Sequence, residues 1–100
     1  MNYNVSILSD AEVDIDNAFI WYELRQFNLG FKFFKTVEEL IQFISRNPFL
    51  CSEIYKGIRR LIIKKYPYGI YYKINSENKE IQIIAVIHFK RSTRIIKKRV

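Results

Sequence analysis

The chain has one cysteine, one histidine, three glycines and two prolines among 100 residues, and each scarcity closes off a class of explanation. A lone Cys51 cannot form an intramolecular disulfide, so the core must hold the fold, and a reduced, cytosolic setting is expected. One histidine, one cysteine and scattered carboxylates supply no ligand cluster, so neither a metal nor another cofactor is expected. The glycines stand singly, which excludes a phosphate-cradling loop. No apolar run approaches the roughly 18 residues of a membrane span, and no signal-peptide pattern opens the sequence, so no membrane partner is expected.

What is present is apolar bulk and positive charge. Hydrophobic residues make up 49% of the chain and aromatics 16%, enough to build one core without staples. Residues 1–100 are therefore expected to form a single domain. The net charge of +7 is unevenly placed: residues 1–50 carry 4 Lys/Arg against 7 Asp/Glu, and residues 51–100 carry 13 against 3. A chain this lopsided would present one basic face to a polyanion or to an acidic protein.

Residues 3–8 alternate in period two and read as a strand. Ser9-Asp10-Ala11-Glu12 reads as a capping box, with further acids at 14 and 16 suited to a helix N-terminus. Ala11, Ile15, Ala18, Phe19 and Tyr22 then recur at helical spacing, which predicts a helix from Asp10 to Phe27. Gly30 is available as a left-handed cap. A second helical pattern, Phe34, Val37, Leu40, Ile41 and Ile44, ends at Asn47-Pro48. Residues 49–57 read as a loop. Strands are predicted at Ile58–Lys65, Ile70–Ile74 and Glu80–His88, the last with Ile81, Ile83, Ala85 and Ile87 on one face and Ile84 and Val86 on the other. Asn75–Lys79 has turn composition. The order β-α-α-β-β-β implies an α+β domain: an N-terminal strand, an antiparallel helical hairpin, and a three-stranded antiparallel meander in a mainly antiparallel sheet.

Chemistry concentrates in "RRLIIKKYPYGIYYKI" (59–74) and "AVIHFKRSTR" (85–94). Lys64, Lys65 and Lys73 fall on strands expected to pair, with Arg59 and Arg60 nearby, and such a cluster repels itself unless an anion or acidic partner joins it. His88 could serve as acid or base, with Arg91 holding a phosphate. The bland alternatives are a solvated sheet face, a surface arginine and a histidine bonded to backbone. Cys51 reads as a buried, inert thiol. Among the tyrosines, Tyr68 and Tyr72 read as packing residues, although tyrosines here could also stack on bases. The tail, residues 90–100 ("KRSTRIIKKRV"), has six cations and reads as a disordered arm that Ile95 and Ile96 could dock.

"GIRRLIIKKYPYGIYYKI" followed by "IQIIAVIHFKRS" resembles the RelE/ParE superfamily of bacterial type II toxins, especially its ParE-like branch. "DIDNAFIWYELRQFNLGFKFFKTVEELIQFISRNP" resembles the helical hairpin of that superfamily. The resemblance implies the same β-α-α-β-β-β fold and a plasmid-stabilisation toxin neutralised by a co-expressed antitoxin. A toxin–antitoxin heterotetramer is one assembly it admits. In the ribonuclease branch it implies messenger RNA cleavage on the ribosome by strand lysines, two arginines and a C-terminal tyrosine. Lys64 and Lys65 lie near the lysine positions and Arg91 matches the second arginine. Gly69 stands where the first arginine would be, and no tyrosine follows Tyr72. These departures favour the ParE-like branch, associated with inhibition of DNA gyrase and with no enzymatic activity of its own. The alternative is a ribosome-dependent endoribonuclease using His88, Arg91, Lys64 and Lys65. A second alternative is a small basic nucleic-acid-binding module. In each case Arg59, Arg60, Lys73, Lys90, Arg94, Lys97, Lys98 and Arg99 are the expected partner- or nucleic-acid-binding residues.

Overall fold

The computed structural model describes residues 2–100. Strand β1 (Asn4–Ile7) is followed by helices α1 (Ser9–Arg25) and α2 (Leu29–Arg46) and strands β2 (Glu53–Tyr55), β3 (Ile58–Ile62), β4 (Tyr68–Asn75) and β5 (Glu80–His88). A 3-10 turn (Phe89–Arg91) leads into helix α3 (Ser92–Arg99). The five strands form one sheet in the order β1-β5-β4-β3-β2. Only the β1–β5 pair is parallel; β5–β4, β4–β3 and β3–β2 are antiparallel.

The expected α+β architecture is present, with differences that have local causes. The stretch 49–57 contains β2, a three-residue edge strand that pairs with β3. β3 stops at Ile62 because the chain turns back before Pro67, where the Ile63 amide meets the Tyr68 carbonyl at 3.0 Å. Lys64 and Lys65 therefore lie in an exposed turn. The capping box is not made: Ser9 is already helical, and the Leu8 carbonyl accepts the Glu12 amide. Asp10 and Glu12 still sit in the first turn, favourable to the helix dipole.

At the hairpin, Asn28 rather than Gly30 takes the left-handed conformation, at φ 72°. Gly30 is helical and is required by proximity, since a Cβ there would lie 2.6 Å from the Phe19 carbonyl oxygen. Glu23 completes the corner. Its carboxylate accepts the Asn28 amide at 2.9 Å and the Gly30 amide at 3.0 Å, satisfying donors that the start of α2 leaves unpaired.

The sheet is apolar on both faces. α1 and α2 cover one with Ala11, Ile15, Ala18, Tyr22, Phe33, Val37 and Ile44, packed on Ile63, Ile70, Tyr72, Ile81, Ile83 and Val86. The other face holds Ile58, Tyr71, Ile84, Ala85 and Ile87, covered by Ile96 of α3. Strand β5 changes phase between Ile83 and Ala85: Tyr72 pairs with Ile83 but Tyr71 with Ala85, leaving Ile84 as a bulge. Alternation expected through 87 therefore breaks, and Val86 joins the helix side while Ala85 and Ile87 face α3.

The bulge is secured by an ion pair. Arg99 meets Asp14 through Nη1–Oδ2 at 2.6 Å and Nη2–Oδ1 at 3.0 Å. Asp14 Oδ2 also accepts the Val86 amide at 3.1 Å, and Arg99 Nη1 donates to the Ile84 carbonyl at 3.1 Å. Both backbone groups lie beyond Ile83, where β1 pairing ends. The tail is thus a docked helix and not a disordered arm, because Ile96 fills the second core and Arg99 reaches across to α1.

Three outcomes follow, each read by urea titration. Asp14→Ala should cost about 3 kcal/mol, because it strands a part-buried arginine and a strand amide. Asp10→Ala, whose carboxylate is 71% exposed and 3.8 Å from Arg99 Nε, should cost under about 0.5 kcal/mol in the same urea titration. Burial, reinforced by Tyr68 and Tyr66, pushes the Tyr22 hydroxyl from 10.0 up to about 12. The folded chain then keeps a proton that the unfolded chain releases. Stability should be intact below about pH 10 and fall as pH rises through about 12, with urea midpoints tracking tyrosinate absorbance.

Candidate functional site

The end of the sheet where β3 turns into β4 and β5 leaves the fold gathers most of the reactive groups. Tyr68 pairs with His88 across the β4–β5 ladder, and the Phe89 amide donates to the Pro67 carbonyl at 3.2 Å. These contacts bring the Lys64–Lys65 turn to the same end as His88 and Arg91. Between them and α1 lies a cleft of about 450 Å³ lined by Trp21, Tyr22, Pro67, Tyr68, His88, Lys90 and Arg91. Its aromatic wall is fixed from behind, since Tyr22, Phe33, Tyr66 and Tyr68 pack ring against ring with centroids 5.1–6.0 Å apart.

His88 Nδ1 accepts the Lys90 amide at 3.2 Å. In the neutral ring the proton is then on Nε2, so His88 is arranged to donate a hydrogen bond; acting as a base through Nε2 would require giving that contact up. The Tyr68 hydroxyl is held protonated above its ordinary range by burial, against the opposing pull of Arg91 and with Asp14 adding to the rise. Trp21 at the rim carries the Arg25 guanidinium 3.2 Å above its ring. The cleft offers donors, cations and aromatic faces.

The other basic residues disperse. Arg59 points to the helix side and donates to the carbonyls of Cys51 at 2.6 Å and Phe49 at 3.5 Å, where it fastens the loop before β2. Cys51 is half-buried against the helix-side core. Arg60 faces the other way into a hollow of about 260 Å³ between β2 and α3, shared with Tyr55, Thr93 and Lys97. Lys73 is exposed on β4. Arg94 and Lys98 line a further hollow with Arg91 and Ile95, which continues the cleft's charge along α3. Arg99 is taken up by Asp14.

Tyr71 and Gly69 explain each other. A Cβ on Gly69 would lie 3.1–3.2 Å from the ring and hydroxyl of Tyr71, so that ring occupies the space a side chain at 69 would need. The Tyr71 hydroxyl is buried without a hydrogen-bond partner among the described residues. The sequence analysis did not single out Trp21, and it took Asp14 only as one of four alternating acids at the start of the first helix. A usable signal for Asp14 was its place three residues after Ala11 and four before Ala18, beside the buried stripe.

Among the described residues no group of His, Cys, Asp and Glu could hold a metal ion, and no helix is long and apolar enough to cross a membrane.

Comparison with known proteins agrees with this geometry. A chain of the crystal structure of the toxin–antitoxin complex RelBE2 from Mycobacterium tuberculosis superposes with a TM-score of 0.66 at 18% identity, over 88% of this chain and 99% of that one. A chain of the chromosomal ParDE system of P. aeruginosa superposes with a TM-score of 0.61 at 20% identity, over 86% of this chain and 95% of that one. No curated relative matches the sequence. The pattern of the ParE toxin of the type II toxin–antitoxin system parDE matches residues 5–93, nearly the whole fold up to the start of α3. The chain belongs to the ParE toxin family of type II toxin–antitoxin systems.

Proposed function

We propose that this toxin acts without chemistry of its own, by binding and inhibiting DNA gyrase, and that a cognate antitoxin neutralises it. The observation that carries this reading is the packing of Tyr71 over Gly69. The position where a ribonuclease of the superfamily would be expected to present an arginine is a glycine closely covered by a core ring, and a side chain there would have to push Tyr71 aside by a few tenths of an ångström. His88 supports the same reading, because its Nδ1 is engaged by backbone. The surface that remains is suited to macromolecular contact: an aromatic cleft bordered by Lys90 and Arg91, continuing into Arg94 and Lys98. Such a strip attracts an acidic antitoxin segment and steers its association.

One observation favours a second reading. The Lys64–Lys65 turn shares one end of the sheet with His88 and Arg91, so a ribosome-dependent ribonuclease could draw its phosphate-holding groups from that end.

Purified toxin should inhibit gyrase supercoiling, and an Arg91→Ala, Arg94→Ala, Lys98→Ala variant should weaken inhibition by about tenfold or more while melting like the parent. Messages on translating ribosomes should stay intact. Unimpaired supercoiling, together with codon-register cuts abolished by His88→Ala and Arg91→Ala, would replace this reading by the second.

A further inference from the structure

Three arginines are half-buried among the described residues, and two of them have partners. Arg59 donates to the carbonyls of Cys51 and Phe49, and Arg99 is paired with Asp14. The guanidinium of Arg60 has no hydrogen-bond acceptor and no carboxylate in ion-pair reach among the described residues. A cation taken partly out of water is costly unless its donors are met. Those of Arg60 are open to a ligand.

Pairing with Tyr71 across the β3–β4 ladder turns Arg60 to the α3 side of the sheet, into the hollow of about 260 Å³ between β2 and α3. Lys97 and the Thr93 hydroxyl line the same hollow, Ile54 and Ile96 form apolar parts of its wall, and no carboxylate lines it. More cations stand at its rim. Lys56 and Lys97 hold their ammonium groups 5.4 and 6.0 Å from the centre of the Tyr55 ring. Lys73 reaches the turn beside Lys56, its Cε 4.0 Å from where a Cβ on Gly57 would sit. Four cations from separate parts of the chain thus surround one hollow, and none has a carboxylate partner among the described residues. Such a group repels itself until an anion enters.

The donors select the anion. A carboxylate brings two oxygens and one charge. A phosphate brings more oxygens, directed several ways, and suits a guanidinium fork, an ammonium and a hydroxyl converging from different elements. The hollow is smaller than the roughly 300–1,000 Å³ of sites that enclose whole small molecules, but ample for one phosphate.

We propose that the Arg60 hollow is a phosphate-binding site, with Arg60 gripping the group through its fork and Lys97 and Thr93 completing the contact. Lys56 and Lys73 extend the positive surface past a single ion, as successive phosphates of a nucleic-acid backbone require. No lining residue is shared with the cleft of Trp21, His88 and Arg91, so the site stands whether or not gyrase is the target.

Fluorescence anisotropy of a short labelled DNA duplex, titrated with full-length toxin, reads the site directly. Arg60→Gln should weaken binding by about tenfold and lower the slope of log affinity against log salt by about one. Arg60→Lys keeps the charge but loses the fork, and should still cost about threefold or more. Lys35→Gln, which removes the same charge from α2, should stay within about twofold, and all three should melt like the parent. Should Arg60→Gln fail to fold, Lys97→Gln, exposed on α3, reads the same loss. Inorganic phosphate, compared with chloride at equal ionic strength, separates the sources. Arg60-dependent duplex binding identifies a nucleic-acid backbone; an Arg60-dependent rise in melting temperature with phosphate, without duplex binding, identifies a free phosphate. Parent-like affinity in Arg60→Lys, equal losses in Arg60→Gln and Lys35→Gln, or polyglutamate competing as well as duplex of matched charge would overturn the assignment.

Discussion

The pair formed by Asp14 and Arg99 joins the first helix, the central strand and the last helix at one point. Strand β5 is paired by β1 only as far as Ile83, and beyond that the bulge at Ile84 leaves a carbonyl and an amide to be satisfied. Ion pairs this sheltered gain little over a hydrophobic substitute unless their remaining hydrogen-bonding capacity is filled. Here the strand's own backbone fills it: the Val86 amide goes to Asp14 and the Ile84 carbonyl to Arg99. The same contacts that settle the strand bring the C-terminal helix onto the second face of the sheet. Arg99 is held in its charged form chiefly by its hydrogen bonds to Asp14, against the cost of burial.

The placement of the tyrosines depends on that arrangement. Tyr71 and Tyr72 are adjacent on β4, point to opposite faces, and are both fully buried because each face has its own helical cover. Tyr72 finds the Pro48 carbonyl at 2.8 Å. Tyr71 finds no partner among the described residues, and its ring lies over Gly69. With α3 absent, Tyr71 would be a surface aromatic on a basic sheet, and the chain would look much more like a nucleic-acid binder. The helix changes it into core and leaves the cations on and around α3 as the outward chemistry.

The element order, the hairpin and the apolar faces of α1 and α2 were legible because period 3.6 and period 2 are local properties of the chain. The clustering of His88 and Arg91 was legible as well, since they are three residues apart. The separate fates of Arg59, Arg60 and Arg99 were not. Neighbouring strand residues face opposite ways, so Arg59 fastens a loop on the helix side while Arg60 opens on α3. Whether a cation is free also depends on what lies across the fold from it, and Asp14 is 85 positions from Arg99.

By itself the sequence determined the fold class and the basic second half, because composition and short-range periodicity encode them directly, and its motifs carried the resemblance to the RelE/ParE superfamily. The tertiary structure alone decided that the tail is a helix, that the alternation of β5 breaks at Ile84, and that the Tyr71 ring packs closely over Gly69. Each of these rests on a group satisfying, or excluding, another brought near it only by folding. Local pattern has no term for that proximity.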